Sequence, residues 1–158
     1  MQALRRAHLQ LKTDLAALEQ VLEWFSQFKG EPVPNTVWMR CELALVEGFT
    51  NAVRHAHKGE SALLIDIEIA VYAKWLEIRI WDSGPPFNLH EKLREKLLKE
   101  LLERKTFDEL DLNFDELDLK EGGWGIKLMW KIADLLRYTR TSDDRNCLLI
   151  LALFSLED

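Results

Sequence analysis

Two stretches of this chain alternate apolar and polar residues one for one. From Leu63 to Tyr72, Ile65, Ile67, Ile69 and Val71 fall on one face, with Asp66 and Glu68 on the other. From Trp75 to Trp81, Leu76, Ile78 and Ile80 oppose Glu77 and Arg79. A period of two marks a strand with one buried face, and two such runs joined by a short connection predict a β-hairpin. His8 to Lys12 alternates in the same way. Two further strands, Arg137 to Thr141 and Cys147 to Phe154, flank a Ser142–Asn146 turn. The second is nearly all apolar, which places it inside the sheet.

The helical segments lie between these strands. Leu15 to about Phe28 carries a stripe of Leu15, Leu18, Leu22 and Phe25, with Thr13 or Asp14 as its cap. Gly30-Glu-Pro-Val-Pro34 stops it. Asn35 or Thr36 opens a second helix that runs through Trp38, Leu45 and Phe49 to about His55. Leu89 to Lys105 is a charged helix with Leu89, Leu93, Leu97 and Leu101 on one side, and a last helix covers about Ile126 to Leu136. The order is β-α-α-β-β, an insert, then α-β-β. Each hairpin strand has one apolar face, so helices cover one side of the sheet. The fold class is α+β, a two-layer sandwich.

One domain accounts for residues 1–158, with an insert over about 88–121. The insert holds a short repeat, Phe107-Asp-Glu-Leu-Asp-Leu112 and Phe114-Asp-Glu-Leu-Asp-Leu119. Asp111, Asn113 and Asp115 imitate the start of a calcium loop, but Glu116 stands where that loop needs glycine, so calcium is rejected. The net charge of −6 argues against nucleic acid as a direct partner. No apolar run has the length to span a bilayer, and the N-terminus lacks a signal-peptide core; the expectation is a cytoplasmic protein away from membranes. Cys41 and Cys147 read as buried, reduced thiols.

The candidate chemistry sits in three segments. Glu47, Asn51 and His55 recur every fourth residue, so on a helix they share a face. On that segment alone a partly solvated polar stripe is the better explanation, since short polar patterns arise by chance. Asp82 ends a strand before Ser83-Gly84-Pro85-Pro86. It is either a turn-former or an acceptor for an exocyclic amine in a pocket, where Gly84 would let the backbone approach a flat ring. Gly122-Gly123-Trp124-Gly125 precedes a helix and is either a loop needing positive φ or a phosphate cradle of backbone N–H groups. His55-Ala-His57 suggests a metal pair, but residues two apart on a helix face away from one another.

Taken together the three segments resemble the GHKL ATPase superfamily, and within it the bacterial anti-sigma-factor serine kinases. Glu47-Gly-Phe-Thr-Asn51-Ala-Val-Arg-His55-Ala resembles that group's N-box, Asp82-Ser-Gly-Pro-Pro-Phe87 its first glycine box, and Gly122-Gly-Trp-Gly-Ile-Lys-Leu-Met129 its second. The resemblance implies a Bergerat fold with a mixed, mainly antiparallel sheet and the insert as an ATP lid. It implies ATP and Mg²⁺, with Asn51 on the metal, Glu47 as catalytic base, Asp82 on the adenine amino group and Gly84 against the base. Gly123, Trp124 and Gly125 would offer N–H groups to the phosphates, and His55 would either line the phosphate side of the pocket or act as a structural helix-end residue. The implied function is a serine protein kinase acting on a STAS-type anti-sigma antagonist and sequestering a sigma factor. The alternative is an ATP-dependent partner-binding switch without phosphotransfer. A homodimer through the edge of the N-terminal strand is also implied. The sequence departs from the family at Asn146-Cys147, where a Gly-Thr pair is usual. A Cys147 thiol replaces a hydroxyl poorly, so weaker nucleotide binding is the expectation.

Overall fold

The computed structural model describes residues 1–102 and 129–155. Five strands form one sheet in the order β1-β2-β3-β5-β4: β1 (Arg5–Lys12), β2 (Leu64–Val71), β3 (Trp75–Asp82), β4 (Leu135–Arg140) and β5 (Asn146–Leu153). Every pairing among the described residues is antiparallel, so the expected parallel component of a mixed sheet is absent from them. The reason is connectivity. The chain returns to the sheet through β4, turns at 141–145, and β5 then runs back between β4 and β3. β5 lies between two strands and buries Asn146, Leu148, Ile150 and Ala152 on its helix-facing side, while Leu149 and Leu151 on the other side are only partly covered and Leu153 is exposed. β1 is an edge strand.

Alternation along β2 and β3 sorts the two faces. Ile65, Ile67, Ile69, Ile78 and Ile80 are all buried beneath the helices. The opposite face carries charge ladders instead: Arg6 meets Glu68 at 2.8 Å, His8 meets Asp66 at 3.0 Å, and Arg79 meets Glu77 at 2.6 Å. One sheet face is thus covered and the other open, the two-layer sandwich expected from the sequence.

The covering layer is α1 (Leu18–Phe28) and α2 (Asn35–Asn51), followed by a single π-helical turn, Ala52–Ala56. A 3₁₀ turn, Leu15–Ala17, precedes α1, and Asp14 caps it by accepting from Ala16 N–H at 2.9 Å. This tighter turn rotates the register. Leu15 is left exposed, and Val21 and Phe25 are the residues that α1 buries. Helix α2 begins at Asn35 with Pro34 at its N-cap, so neither Asn35 nor Thr36 supplies the cap expected of them. Pro34 O instead accepts from the Val37 and Trp38 N–H groups.

The third helix, α3 (Leu89–Leu102), is capped by Asn88, whose Oδ1 accepts from Glu91 N–H at 3.0 Å. Leu89 and Leu93 bury its near end. The side chains of Leu97 and Leu101, the Phe107–Leu119 repeat and the Gly122–Gly125 loop lie outside the described residues. The last helical segment is described over 129–132, and β4 begins at Leu135, where the helix was expected to continue to Leu136. No helix among the described residues is long and apolar enough to cross a membrane.

Trp38 joins α1 to α2. It is 1% exposed and meets Phe25 edge-on at 5.4 Å and Phe28 at 6.2 Å, while its indole N–H donates to Gly30 O at 3.1 Å. Trp38→Ala removes the rings' shared partner and leaves Gly30 O with Arg5 as its remaining donor. It is expected to cost about 3–5 kcal/mol in urea unfolding, with the m-value unchanged.

Candidate functional site

The end of β3 and the start of β5 are register partners, which sets Asp82 beside Asn146. Both are buried, Asn146 completely. A carboxylate cannot stay charged there without hydrogen bonds. Asp82 Oδ1 accepts from Asn146 Nδ2 at 2.8 Å and from Gly84 N–H at 2.9 Å. Asn146 Nδ2 also donates to Gly84 O at 2.8 Å. Arg140, on β4, closes the knot by donating to Gly84 O at 3.2 Å and Asn146 Oδ1 at 3.0 Å. Both of these bonds to Asp82 fall on Oδ1, and the residue lines a cavity.

That cavity encloses about 220 Å³ between α2, the π-turn, β3, β4, β5 and the near end of α3. Its walls are mostly apolar: Ile80, Leu148, Ala52, Met129, Pro85 and Pro86 contribute. The Phe87 and Tyr138 rings lie 4.3 Å apart, and the Lys92 ammonium sits 4.7 Å from the Phe87 centroid. Burial first, then the Asp82 charge, pushes the Tyr138 phenol up to about 12, so it stays a neutral donor. The polar groups facing the cavity are Asp82, Asn51, His55, Lys92 and Tyr138.

Gly48 also lines the cavity, on α2. A Cβ there would sit 2.4 Å from Ile80 Cδ1, so any larger residue displaces the sheet residue beneath it. Asn51 ends α2, and the π-turn that follows closes with His57 N–H donating to Ala52 O at 2.9 Å. Such single π-turns are frequent at functional sites. Asn51 and His55 both line the cavity. Burial, then Lys92 and Arg54, lowers the His55 imidazole below its ordinary value, which keeps it neutral near pH 7.

Glu47 lies one turn before Asn51, is buried, and stands outside the cavity lining. Burial raises its carboxyl above the ordinary 4.5, with the Arg54 charge acting the other way. Gly84 is placed differently from expectation: it does not line the cavity, and a Cβ on it would meet Ala56 O at 2.4 Å. Its missing side chain lets the Asp82 turn press against the π-turn backbone. Gly123, Trp124 and Gly125 lie outside the described residues. His57 is buried with both ring nitrogens engaged by protein, and among the described residues no group of three His, Cys, Asp or Glu could hold a metal.

Asn146 is the residue the sequence reading undervalued. Cys147 pairs with Trp81 and Thr139 and so points to the opposite face from Asn146. Asn146, not Cys147, meets Asp82, and the thiol has no bearing on the cavity. The signal was present: Leu148, Ile150 and Ala152 are buried toward the helices, and counting back by two reaches Asn146.

Comparison with known proteins agrees with this architecture. The model of the histidine kinase-like ATPase domain matches residues 11–151. The chain belongs to that family. It is 32% identical over 96 residues to the serine-protein kinase RsbW of Bacillus licheniformis, covering 61% of this chain and 53% of that protein. It is 30% identical over 93 residues to the RsbW of Listeria monocytogenes, covering 59% and 52%. It is 30% identical over 96 residues to the RsbW of Bacillus subtilis, covering 61% and 53%. The chain thus spans about half the length of the curated relatives it matches.

Two outcomes follow from this geometry. Asn146→Ala leaves the Asp82 carboxylate and Gly84 O short of a donor, and is expected to cost about 1–3 kcal/mol in thermal or urea unfolding. Glu47 takes up protons more readily folded than unfolded, so its contribution is favourable below pH 4.5 and is lost as pH rises through its folded value. Glu47→Gln, with no charge to bury, is expected to melt higher than the parent at pH 8 and to lose that advantage below pH 4.5.

Proposed function

We propose that this histidine kinase-like ATPase domain binds ATP in the cavity between α2 and the ends of β3 and β5 and uses it as a serine protein kinase. The observation that carries the reading is the buried Asp82, fixed on one oxygen by Asn146 and Gly84 and facing a largely apolar slot. A flat heterocycle with an exocyclic amine satisfies the other oxygen, and the apolar walls accept its faces. His55 and Lys92 belong to the same cavity, with the Arg54 charge acting on His55. Lys92 is thus the cationic side chain among the described lining residues, and it and the nearby Arg54 charge both favour a polyphosphate.

Asn51 fits a magnesium site, since its amide lines the cavity and magnesium takes few protein ligands when phosphates supply the rest. Bound there, the ion would neutralise phosphate charge. The role proposed for Glu47 is general base: its raised pKa brings it nearer to neutrality, as base catalysis favours. The proton of a partner's serine hydroxyl passes to Glu47, the serine oxygen bonds to the γ-phosphorus, and the bond to the β-phosphate oxygen breaks to release ADP. The relatives named as serine-protein kinases support this chemistry. The proposed substrate is a STAS-type anti-sigma antagonist, with a sigma factor as the sequestered partner. The segment over about 88–121 is the proposed lid, Gly123, Trp124 and Gly125 the proposed phosphate cradle, and β1 the proposed dimer edge.

A second reading, an ATP-dependent switch without phosphotransfer, draws on one fact: Glu47 stands outside the cavity lining. Incubation with γ-labelled ATP, Mg²⁺ and a STAS-type protein separates the two. Label on a partner serine is the expected result, and Glu47→Gln should reduce it about 10²–10⁴-fold while ATP affinity holds within about twofold. Capture of the partner in the presence of ATP without any label would leave the switch standing.

A further inference from the structure

His57 is 3% exposed and takes no part in the cavity wall. Its two nitrogens nevertheless join three separate parts of the chain. Ser83 N–H points at Nε2 from 2.8 Å, so Nε2 must be the unprotonated acceptor. The ring proton then sits on Nδ1 and is donated to Thr13 Oγ1 at 2.6 Å. The Thr13 hydroxyl passes its own proton to Leu63 O at 2.7 Å. Each group in this relay has one role, and no other tautomer of the ring satisfies it. Thr13 is itself buried, just beyond the end of β1.

Ser83 lies between Asp82 and Gly84. The same turn is wedged against the backbone of Ala56, the residue before His57. We propose that His57 is a positioning residue for the nucleotide site: held in one tautomer between Thr13 and Ser83, its imidazole fixes the turn that carries the Asp82 carboxylate, and protonation of the ring releases that turn. A proton on Nε2 would face the Ser83 N–H with a second donor, so the two must separate. The charged groups acting on the ring are Asp82, at the end of β3, and Glu60, in the loop before β2. Both favour the cation, and burial outweighs them. The neutral ring therefore persists below the ordinary 6.5, and the folded state loses stability as pH falls from that value, because the unfolded chain binds the proton more readily. The link to nucleotide binding rests on the reading of the cavity as an ATP site.

The test uses adenosine, which has no phosphate to titrate, together with ¹⁵N resonances of the wild-type ring and the Ser83 amide. At pH 7.5 the ring should show a protonated Nδ1 and a bare Nε2. On acidification the Ser83 amide resonance should move at the same midpoint as the ring. Adenosine affinity should fall through that midpoint by up to about tenfold per pH unit, the limit for one linked proton. His57→Gln offers an acceptor and a donor without titrating, and its affinity should stay level over the same range. A proton on Nε2 at pH 7.5, or a Ser83 amide indifferent to the ring's titration, overturns the proposed hold. An acid loss of affinity that persists unchanged in His57→Gln overturns its link to the site. Wild-type protein that binds neither adenosine nor ATP at pH 7.5 contradicts the ATP reading instead, while the resonances still decide the role of His57.

Discussion

A buried carboxylate is the constraint around which this molecule is arranged. Asp82 lies at the end of an interior strand, and its neighbours hold one of its two oxygens while the residue still lines the cavity. Asn146 is fully buried because β5 pairs with β3 in the register that places it opposite Asp82. Arg140 reaches across from β4 to hold the amide and the Gly84 carbonyl. Three strands therefore meet in one hydrogen-bonded cluster, with Asn146 between Asp82 and Arg140. A shift of β5 by one residue would present Cys147 instead, and a thiol offers no comparable donor.

The same turn is held from the helix side. Gly84 has no room for a side chain because the π-turn backbone fills the space, and His57 binds Ser83 from just beyond that turn. The extra residue in the π-turn and the missing side chain of Gly84 act at one contact. Asn51 and His55 are carried by the same stretch of chain that supports the carboxylate turn. Geometry on the two sides of the cavity is thereby coupled through the Gly84–Ala56 backbone contact and the buried His57 ring. The N-box and the first glycine box read as separate motifs along the chain but form a single packed unit in space.

Much of this was legible in the residues. One-for-one alternation gave β2 and β3, because a half-buried strand has only one way to sort its side chains. The apolar run at the C-terminal end marked β5 as interior. The start of α1 was misread because a 3₁₀ turn shifts the helical register, and it left Leu15 outside the core. The π-turn had no sequence signal, since Ala-Val-Arg-His-Ala suits an α-helix as well; packing against Gly84 is a tertiary fact. Spacing by four suggested that Glu47, Asn51 and His55 act as a row, yet only Asn51 and His55 line the cavity. Gly84 was read toward a ligand because glycine permits close approach, and the residues gave no means of knowing that the protein's own backbone approaches it.

The claim most exposed to test is that the free oxygen of Asp82 recognises an amine-bearing base. Isothermal titration of Mg²⁺ and ATP into wild-type protein and Asp82→Asn measures it directly. The asparagine can keep an acceptor toward Asn146 and Gly84, but one of its two positions becomes a donor that faces the exocyclic amine. The account predicts that ATP binds the wild type and that the substitution weakens binding at least about tenfold, ~1.4 kcal/mol, with the fold retained. Equal affinity in the two proteins would contradict it.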